Sequence, residues 1–211
     1  MYRLDEDLDD ILGNIKTFTP NLELPDPDLR DLWLEEKNRI IWLDDSVGHD
    51  SLSIVKKIMN YNIMDKDTAI EERKPIKLLL DTPGGSVDVM NVIINAIKIS
   101  KTPVWTINFA SALSAGAHIL AAGHKRFAMP GSTVLVHSGS CQISGTAEQA
   151  EKAKEYYDKV SKKADDQLLA DTKIDKKLYK KKAPFDWYIS AEEALEYGII
   201  DKIIDNFDEL A

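Results

Sequence analysis

Short apolar runs alternate along the chain with stretches in which apolar residues recur at helical spacing. Four of the runs are typical of strands that are buried on both faces of a sheet, and they lie at residues 39–43, 76–80, 103–107 and 133–137. Helical spacing at residues 51–61 and 87–97 predicts one helix after each of the first two runs. This order predicts βαβ units and a parallel sheet, so the predicted fold class is α/β.

The second apolar run ends at a glycine turn, Asp-Thr-Pro-Gly-Gly-Ser, at residues 81–86. Pro83 fixes one backbone φ angle, whereas Gly84 and Gly85 can adopt a positive φ. Such a turn can direct backbone N–H groups into a cleft, where they can bind an oxyanion. Taken alone, Pro-Gly-Gly is also an ordinary surface turn.

Residues 109–123 are mostly small and predict a helix that begins directly after the third strand. Ser114 lies in the predicted first turn of this helix, where the positive end of the helix dipole favours an attacking alkoxide. A single serine in this position can equally be an N-cap or a small packing residue.

Taken together, these motifs resemble one known family. Pro-Gly-Gly-Ser-Val at 83–87, Ser-Ala-Gly-Ala at 114–117 and Leu-Ala-Ala-Gly at 120–123 closely resemble the proteolytic subunit of the Clp protease family. That family belongs to the superfamily that also contains the crotonases. The resemblance covers about residues 30–205 and implies a spiral of ββα units with a protruding handle helix.

The second half of the chain contains a long amphipathic segment at residues 147–171, rich in Glu, Lys and Ala. Its apolar residues fall on one stripe, formed by Ala150, Ala153, Tyr157, Val160, Ala164 and Leu168. The resemblance identifies this segment, about residues 146–171, as the handle that interdigitates between two stacked heptameric rings. It also implies that the loop at 139–145 contributes a strand to the substrate channel. The alternative is a helix that packs across its own domain.

His137 is the candidate general base, because an imidazole at a strand end beside the serine can be held within hydrogen-bond reach. Pro-Gly-Ser-Thr-Val-Leu-Val-His at 130–137 resembles the family strand that ends in the catalytic histidine. His118 lies one helical turn after Ser114, and we expect its side chain to point away from an attacked carbonyl. The loop residues His49 and His124 are expected to be solvated.

The third member of a catalytic triad departs from the family pattern. Residues 190–201 resemble the family's closing helix and turn, and counting back from them places Lys182 at the usual aspartate position. A lysine cannot accept a hydrogen bond from an imidazole. Asp186 can take the role, since shorter, phage-type relatives resemble the Asp-Trp-aromatic pattern at 186–188. A Ser-His dyad held by a backbone carbonyl and a weak or inactive subunit are the two alternatives.

We therefore expect a serine endopeptidase in which Ser114 attacks a peptide carbonyl and His137 transfers the proton. Asp186 is the expected acid, and the N–H groups of Gly85 and Ala115 are the expected oxyanion hole. The resemblance implies a homo-oligomeric chamber that receives unfolded polypeptides from an AAA+ ATP-driven unfoldase. No Walker-type motif, cofactor site or metal-ligand spacing is found in the sequence.

Two other classes of function remain open from the sequence. An inactive ring subunit or scaffold would keep the handle and the glycine turn while tolerating Lys182. A crotonase-type acyl-CoA enzyme would use paired N–H groups on a thioester oxygen, but a paired Ser114 and His137 argue against it.

Composition limits the partners and the location. The net charge of −9 over 211 residues argues against nucleic acid as the main partner. The single cysteine, Cys141, is assigned a structural role and suits a reducing compartment. No apolar run is long enough to cross a membrane, so we expect a cytoplasmic protein.

The domain organisation follows from the resemblance and from the first residues. The peptidase domain is expected at residues 30–211, after an N-terminal arm at 1–29 with an acidic run and several prolines. We expect this arm to be partly flexible or dependent on a partner. One short amphipathic helix is the alternative, formed by Leu8, Ile11, Leu12 and Ile15.

Overall fold

The computed structural model describes residues 27–210, and the chain divides into two units, residues 1–37 and 38–211. The described part of the first unit is helix α1, Pro27–Lys37, in which the Lys37 ammonium lies 4.5 Å from the centre of the Trp33 ring. The rest of the predicted arm, including the alternative amphipathic helix, lies outside the described residues.

The second unit alternates strands and helices along its length. Its elements are β1 Ile40–Leu43, α2 Leu52–Met64, β2 Ile76–Thr82, α3 Val87–Ile99, β3 Val104–Leu113, α4 Ala115–Ala121, β4 Lys125–Ala128, β5 Thr133–Val136, α5 Ala147–Asp171, α6 Lys176–Lys182, β6 Trp187–Ser190, α7 Ala191–Glu196 and β7 Lys202–Ile203. Short 3₁₀ helices lie at His49–Ser51, Ile70–Glu72 and Phe207–Leu210.

The strands form one seven-stranded sheet with the order β1-β2-β3-β4-β7, and β5 pairs with both β3 and β6. Every pairing is parallel except that of β5 with β6. The predicted fold class, α/β with a mainly parallel sheet, is therefore confirmed. Helices cover the sheet, and strand residues such as Ile76, Leu78, Leu80, Val104 and Ile107 are fully buried, as a sheet of this class requires.

Strand β3 positions the site because it changes partner along its length. Its first half pairs with β4, and its last three residues, from Ser111 to Leu113, pair with Thr133 to Leu135 of β5. The prediction of a helix from residue 109 was wrong for residues 109–113, which continue the strand. Pairing with β5 and with Thr82 of β2 gives this segment ladder hydrogen bonds, which outweigh the helical preference of its alanines and of Leu113.

Helix α5 has the bounds predicted from the sequence, and a capping box between Thr146 and Gln149 begins it. In its C-terminal half Ala164 and Leu168 are buried, whereas Ala153 near the other end is exposed. The apolar stripe is thus packed on its own domain over only part of its length. The strand expected in the loop at 139–145 is not found in the described chain, where residues 137–144 form no strand.

The C-terminal end of α5 is attached to the sheet by Arg126. Its guanidinium donates hydrogen bonds to the backbone oxygens of Asp171, at 2.6 Å, and Gly198, at 2.7 Å, and it pairs with the Asp201 carboxylate. Lys98 of α3 also pairs with Asp171, at 2.7 Å. Within residues 27–210, no helix combines the length and the apolar character that a membrane span needs.

Candidate active site

The glycine turn lies directly against the strand-to-helix connection that carries Ser114. Gly84 and Gly85 have φ angles of +92° and +150°, which other residues rarely adopt. A Cβ on Gly84 would lie 2.6 Å from the Leu113 oxygen and 2.7 Å from the Ser114 Cβ. Val47 holds the turn, because its N–H donates to the Gly84 oxygen at 2.8 Å. Only glycine therefore allows the turn to approach Ser114 this closely.

Ser114 is the N-cap of α4, one position before the first turn in which it was predicted. Its φ of +54° makes it one of two non-glycine residues with a positive φ in the described chain. Its N–H donates to the Leu135 oxygen at 2.9 Å, which holds this unusual conformation. Within the described residues, the Ser114 hydroxyl makes no capping hydrogen bond to α4 and points elsewhere.

The hydroxyl of Ser114 lies 2.7 Å from the Nε2 atom of His137. His137 follows β5 directly, and β5 runs parallel to the end of β3, with Leu135 opposite Leu113. Because parallel strands end at the same edge of a sheet, the residues that follow them meet there. The two residues that the sequence motifs selected as nucleophile and base are therefore in direct contact.

Asp186 approaches the other side of the imidazole, with its Oδ1 atom 3.2 Å from His137 Nδ1. It precedes β6, which is antiparallel to β5 with Trp187 opposite Val136. Lys182, at the family's usual aspartate position, is an exposed residue of α6. The carboxylate next to His137 is thus supplied by the residue before β6.

Gly85 and Ala115 line the same cavity, of about 40 Å³, as Ser114 and His137. Ala115 is the first residue of α4, so its N–H has no acceptor within the helix. The N–H of Gly85 is not used in the bridge to Val47, whose hydrogen bonds involve the neighbouring Gly84 and Ser86. Both residues line the cavity that contains Ser114, where an oxyanion hole would be needed.

Of the three remaining histidines, two are exposed and one lines the cavity beside Ser114. His49 and His124 are exposed, although the Nδ1 atom of His124 accepts a hydrogen bond from the Val104 N–H at 3.0 Å. His118, whose side chain was expected to point away from an attacked carbonyl, lines the cavity beside Ser114. Within residues 27–210, no group of three or more His, Cys, Asp or Glu side chains is placed to hold a metal ion.

Sequence reasoning did not select Ser161 and Asp165, two residues of α5 that also line the cavity. Both lie among the apolar stripe residues, four positions after Tyr157 and Ser161 respectively. Polar residues on an otherwise apolar helical face were the available signal.

Cys141 is a free, exposed cysteine, so the structural role assigned to it was wrong. It lines a second, larger cavity of about 350 Å³, between the glycine turn, the loop after His137 and helix α5. Val87, Ile143 and Val160 supply apolar surface there.

With this fold and site, the chain belongs to the Clp protease family. The family model described as Clp protease matches residues 33–207. Among curated proteins, the chain is 34% identical over 140 residues to the ATP-dependent Clp protease proteolytic subunit 2 of Treponema denticola. That alignment covers 65% of this chain and 70% of the relative. The predicted class of protein, a hydrolase of the Clp protease type, is confirmed at this level.

Proposed function

We propose that this chain is a serine endopeptidase that hydrolyses unfolded polypeptides. The observation that carries the proposal is the 2.7 Å contact between the Ser114 hydroxyl and His137 Nε2, with Asp186 on the opposite side of the imidazole. A nucleophile, a base and an acid that orients the base are the three parts that acyl transfer by a serine requires.

In the proposed first step, Ser114 Oγ attacks the peptide carbonyl while His137 Nε2 takes the hydroxyl proton. Asp186 accepts a hydrogen bond from His137 Nδ1–H, which selects the tautomer with a free lone pair on Nε2 and stabilises the imidazolium. His137 then donates the proton to the leaving amine. The product of this step is an acyl-enzyme on Ser114.

The negative charge that develops on the carbonyl oxygen requires donors that are already in position. The N–H groups of Gly85 and Ala115 are the proposed donors, supported by their place at the cavity wall with Ser114. In the second step a water loses its proton to His137 and attacks the acyl carbonyl. Ser114 regains its proton from His137 when the ester bond breaks.

We also propose the assembly and partners that are typical of the family. The exposed N-terminal half of α5 would act as a handle between two stacked heptameric rings, enclosing the sites in a chamber. An AAA+ unfoldase would supply substrates, and residues 1–29 would form an arm separate from the peptidase domain at 30–211. The cytoplasmic location stays a prediction.

The test is degradation of a labelled, permanently unfolded polypeptide such as casein by the full chain, in parallel with sizing of the particle. We expect peptide release by a ring-sized particle and none by the Ser114→Ala variant at the same size. The proposed activity would be contradicted if a ring-sized wild-type particle cleaved neither a short peptide nor the unfolded protein.

A further inference from the structure

The loop between α6 and β6 carries Asp186, and Ser138 holds the beginning of this loop. The N–H of Ser138 donates to the Ala183 backbone oxygen at 2.6 Å, and its hydroxyl donates to the same oxygen at 2.9 Å. Ala183 lies three residues before Asp186, and Ser138 is the residue after His137. These two hydrogen bonds, called the serine clamp below, therefore join the segments that carry the base and the acid.

The Ala183 end of the serine clamp is fixed to the core by α6. Ala183 is the C-cap of this helix and is buried, and its N–H donates to the Tyr179 backbone oxygen at 2.8 Å. Tyr179 is buried as well. Ser138, at the other end, is exposed and lies in a segment that forms no strand. The clamp thus attaches an irregular segment to a buried helix end.

Strand pairing alone does not extend to the base and the acid. The ladder between β5 and β6 ends with Val136 opposite Trp187, one residue short of His137 and Asp186. Pro184 has no N–H that could donate to a longer ladder. Beyond the ladder, the serine clamp is the next connection between the two segments, so His137 and Asp186 are enclosed between two points of attachment.

Asp186 depends on this enclosure because its side chain is 59% exposed. Water competes for an exposed carboxylate, so the 3.2 Å contact with His137 contributes little to holding the loop in place. The backbone of the loop therefore determines how much of the time the carboxylate lies beside the imidazole. The serine clamp restricts that backbone on the side away from the strands.

We propose that Ser138 is a positioning residue of the peptidase, whose hydroxyl keeps the loop at 183–186 in the conformation that places Asp186 beside His137. The inference rests on the proposed function, because it concerns the acid of the proposed triad. Ser138 acts through Asp186 and takes no proton from the substrate. Without its hydroxyl only the N–H of the clamp remains, and the loop populates conformations in which the carboxylate has left the imidazole.

A direct contact with the substrate is the alternative role for Ser138, since it also lines the cavity beside Ser114. The two roles differ in their kinetics. Loss of a contact that binds substrate and transition state equally raises KM and leaves kcat unchanged. Loss of the acid beside His137 lowers kcat, because the base is then held less often in the orientation and tautomer that accept the serine proton.

The experiment measures kcat and KM for a short fluorogenic peptide with the full-length, assembled protein. Ser138→Val and Ser138→Thr form a matched pair, because their side chains have the same shape and only threonine carries a hydroxyl. We expect Ser138→Val to lower kcat about tenfold, the effect of one hydrogen bond, with KM unchanged within about twofold. Ser138→Thr should keep at least about half of kcat.

Ser53→Val is the control, the same change at an exposed serine of α2, and it should keep the wild-type kcat and KM. Particle size and melting temperature show whether each variant folds and assembles. Ser138→Ala replaces Ser138→Val if the valine variant does not assemble.

A double-mutant cycle separates positioning from a general disturbance of the site. If Ser138 acts through Asp186, Ser138→Val should change kcat by less than about twofold when it is made in the Asp186→Asn variant. A general disturbance would lower kcat about tenfold in that variant as well, because independent effects multiply.

The inference would be overturned by an unchanged kcat in Ser138→Val, by a change confined to KM, or by equal losses in the valine and threonine variants. A full loss in the Asp186→Asn background would overturn it too. A fluorophosphonate tests the proposed function separately: Ser114 Oγ bonds to phosphorus, fluoride leaves, and His137 takes the serine proton. Any of these outcomes with a labelled wild type refutes only the role of Ser138. A wild type that neither reacts nor cleaves refutes the peptidase and the role of Ser138 with it.

Discussion

The Nδ1 atom of His137 lies 3.2 Å from the Oδ1 atom of Asp186. This contact follows from the antiparallel pairing of β5 with β6, which sets the residue before Trp187 opposite the residue after Val136. The family pattern had placed Lys182 at the acid position, and that residue is exposed on α6. A carboxylate can therefore reach His137 from the residue before β6, with no carboxylate at position 182.

The Asp186→Asn substitution should lower kcat for peptide hydrolysis by about 100-fold. An asparagine amide can donate to Nδ1 and so favours the imidazole tautomer that cannot accept the serine proton. The Asp186 side chain is 59% exposed, so competition from water keeps the loss below the largest seen for buried triad acids. Steady-state kinetics on a short peptide measures the effect.

Lys182→Ala is the control for the acid assignment, and we expect it to change kcat by less than about threefold, as for an exposed side chain. A loss with Lys182→Ala that equals the loss with Asp186→Asn would contradict the assignment. So would an Asp186→Asn variant with full activity.

Gly84→Ala should lower kcat/KM by at least about 100-fold, because the new methyl group would displace the Ser114 turn. At φ +92° its Cβ would meet the Leu113 oxygen and the Ser114 Cβ. Gly131→Ala is the matched control, with φ +77° and nothing within 4 Å of the added Cβ. It should cost about 1–2 kcal/mol of stability through backbone strain alone and keep its kcat/KM. Equal kinetic losses in the two variants would show that strain, and not contact with Ser114, is the cause.

Asp65 should make stability depend on pH in the acid range. Burial raises the pKa of Asp65, but hydrogen bonds from Arg39 and Thr102 and the charge of Arg39 outweigh it and hold the pKa below 3.8. Stability from a depressed carboxyl pKa is present above the unfolded value and lost as pH falls through the folded one. Asp65→Asn should cost about 3 kcal/mol at pH 7, and the difference from wild type should shrink below pH 4.

Urea unfolding at several pH values measures this difference, with Asp67→Asn as the control for an exposed aspartate. A difference for Asp65→Asn that stays constant down to pH 3 would mean that Asp65 is not held ionised by Arg39.

His118 should also make the stability of the folded chain depend on pH, in a higher pH range than Asp65. Its pKa is about 4 in the folded chain, where it is buried with His137 and Asp165 lining the same cavity, and 6.5 in the unfolded chain. The unfolded state therefore binds more protons between these values, and stability is lost progressively as pH falls from 6.5 to 4. This loss is at most about 3 kcal/mol and should be absent in His118→Leu. The measurement is the melting temperature of the wild type and of His118→Leu at pH 7 and pH 5. An equal decrease in both proteins would contradict the role of His118.

Local signals in the sequence predicted much of the fold. Helix α5 has the bounds predicted from its apolar stripe, and a capping box between Thr146 and Gln149 begins it. The strand segment 109–113 could not be predicted, because Ala110, Ala112 and Leu113 favour a helix by themselves. Their conformation depends on pairing with β5, some 20 residues later in the chain.

The candidate site also contains residues that the sequence could predict and residues that it could not. Ser114 and the glycine turn stand in local motifs, so the sequence could point to them. The approach of Asp186 to His137 depends on strand register, and that of Ser161 and Asp165 to His118 depends on the packing of α5 against α4. Contacts between residues so far apart in the chain leave only weak local signals.

The most direct test of the central claim is intact-protein mass spectrometry after reaction with a fluorophosphonate. We expect one adduct per chain, mapped to Ser114 by peptide sequencing, absent in Ser114→Ala and formed more slowly in Asp186→Asn. A ring-sized wild-type particle that gains no mass under these conditions would contradict an active serine nucleophile and favour an inactive ring subunit.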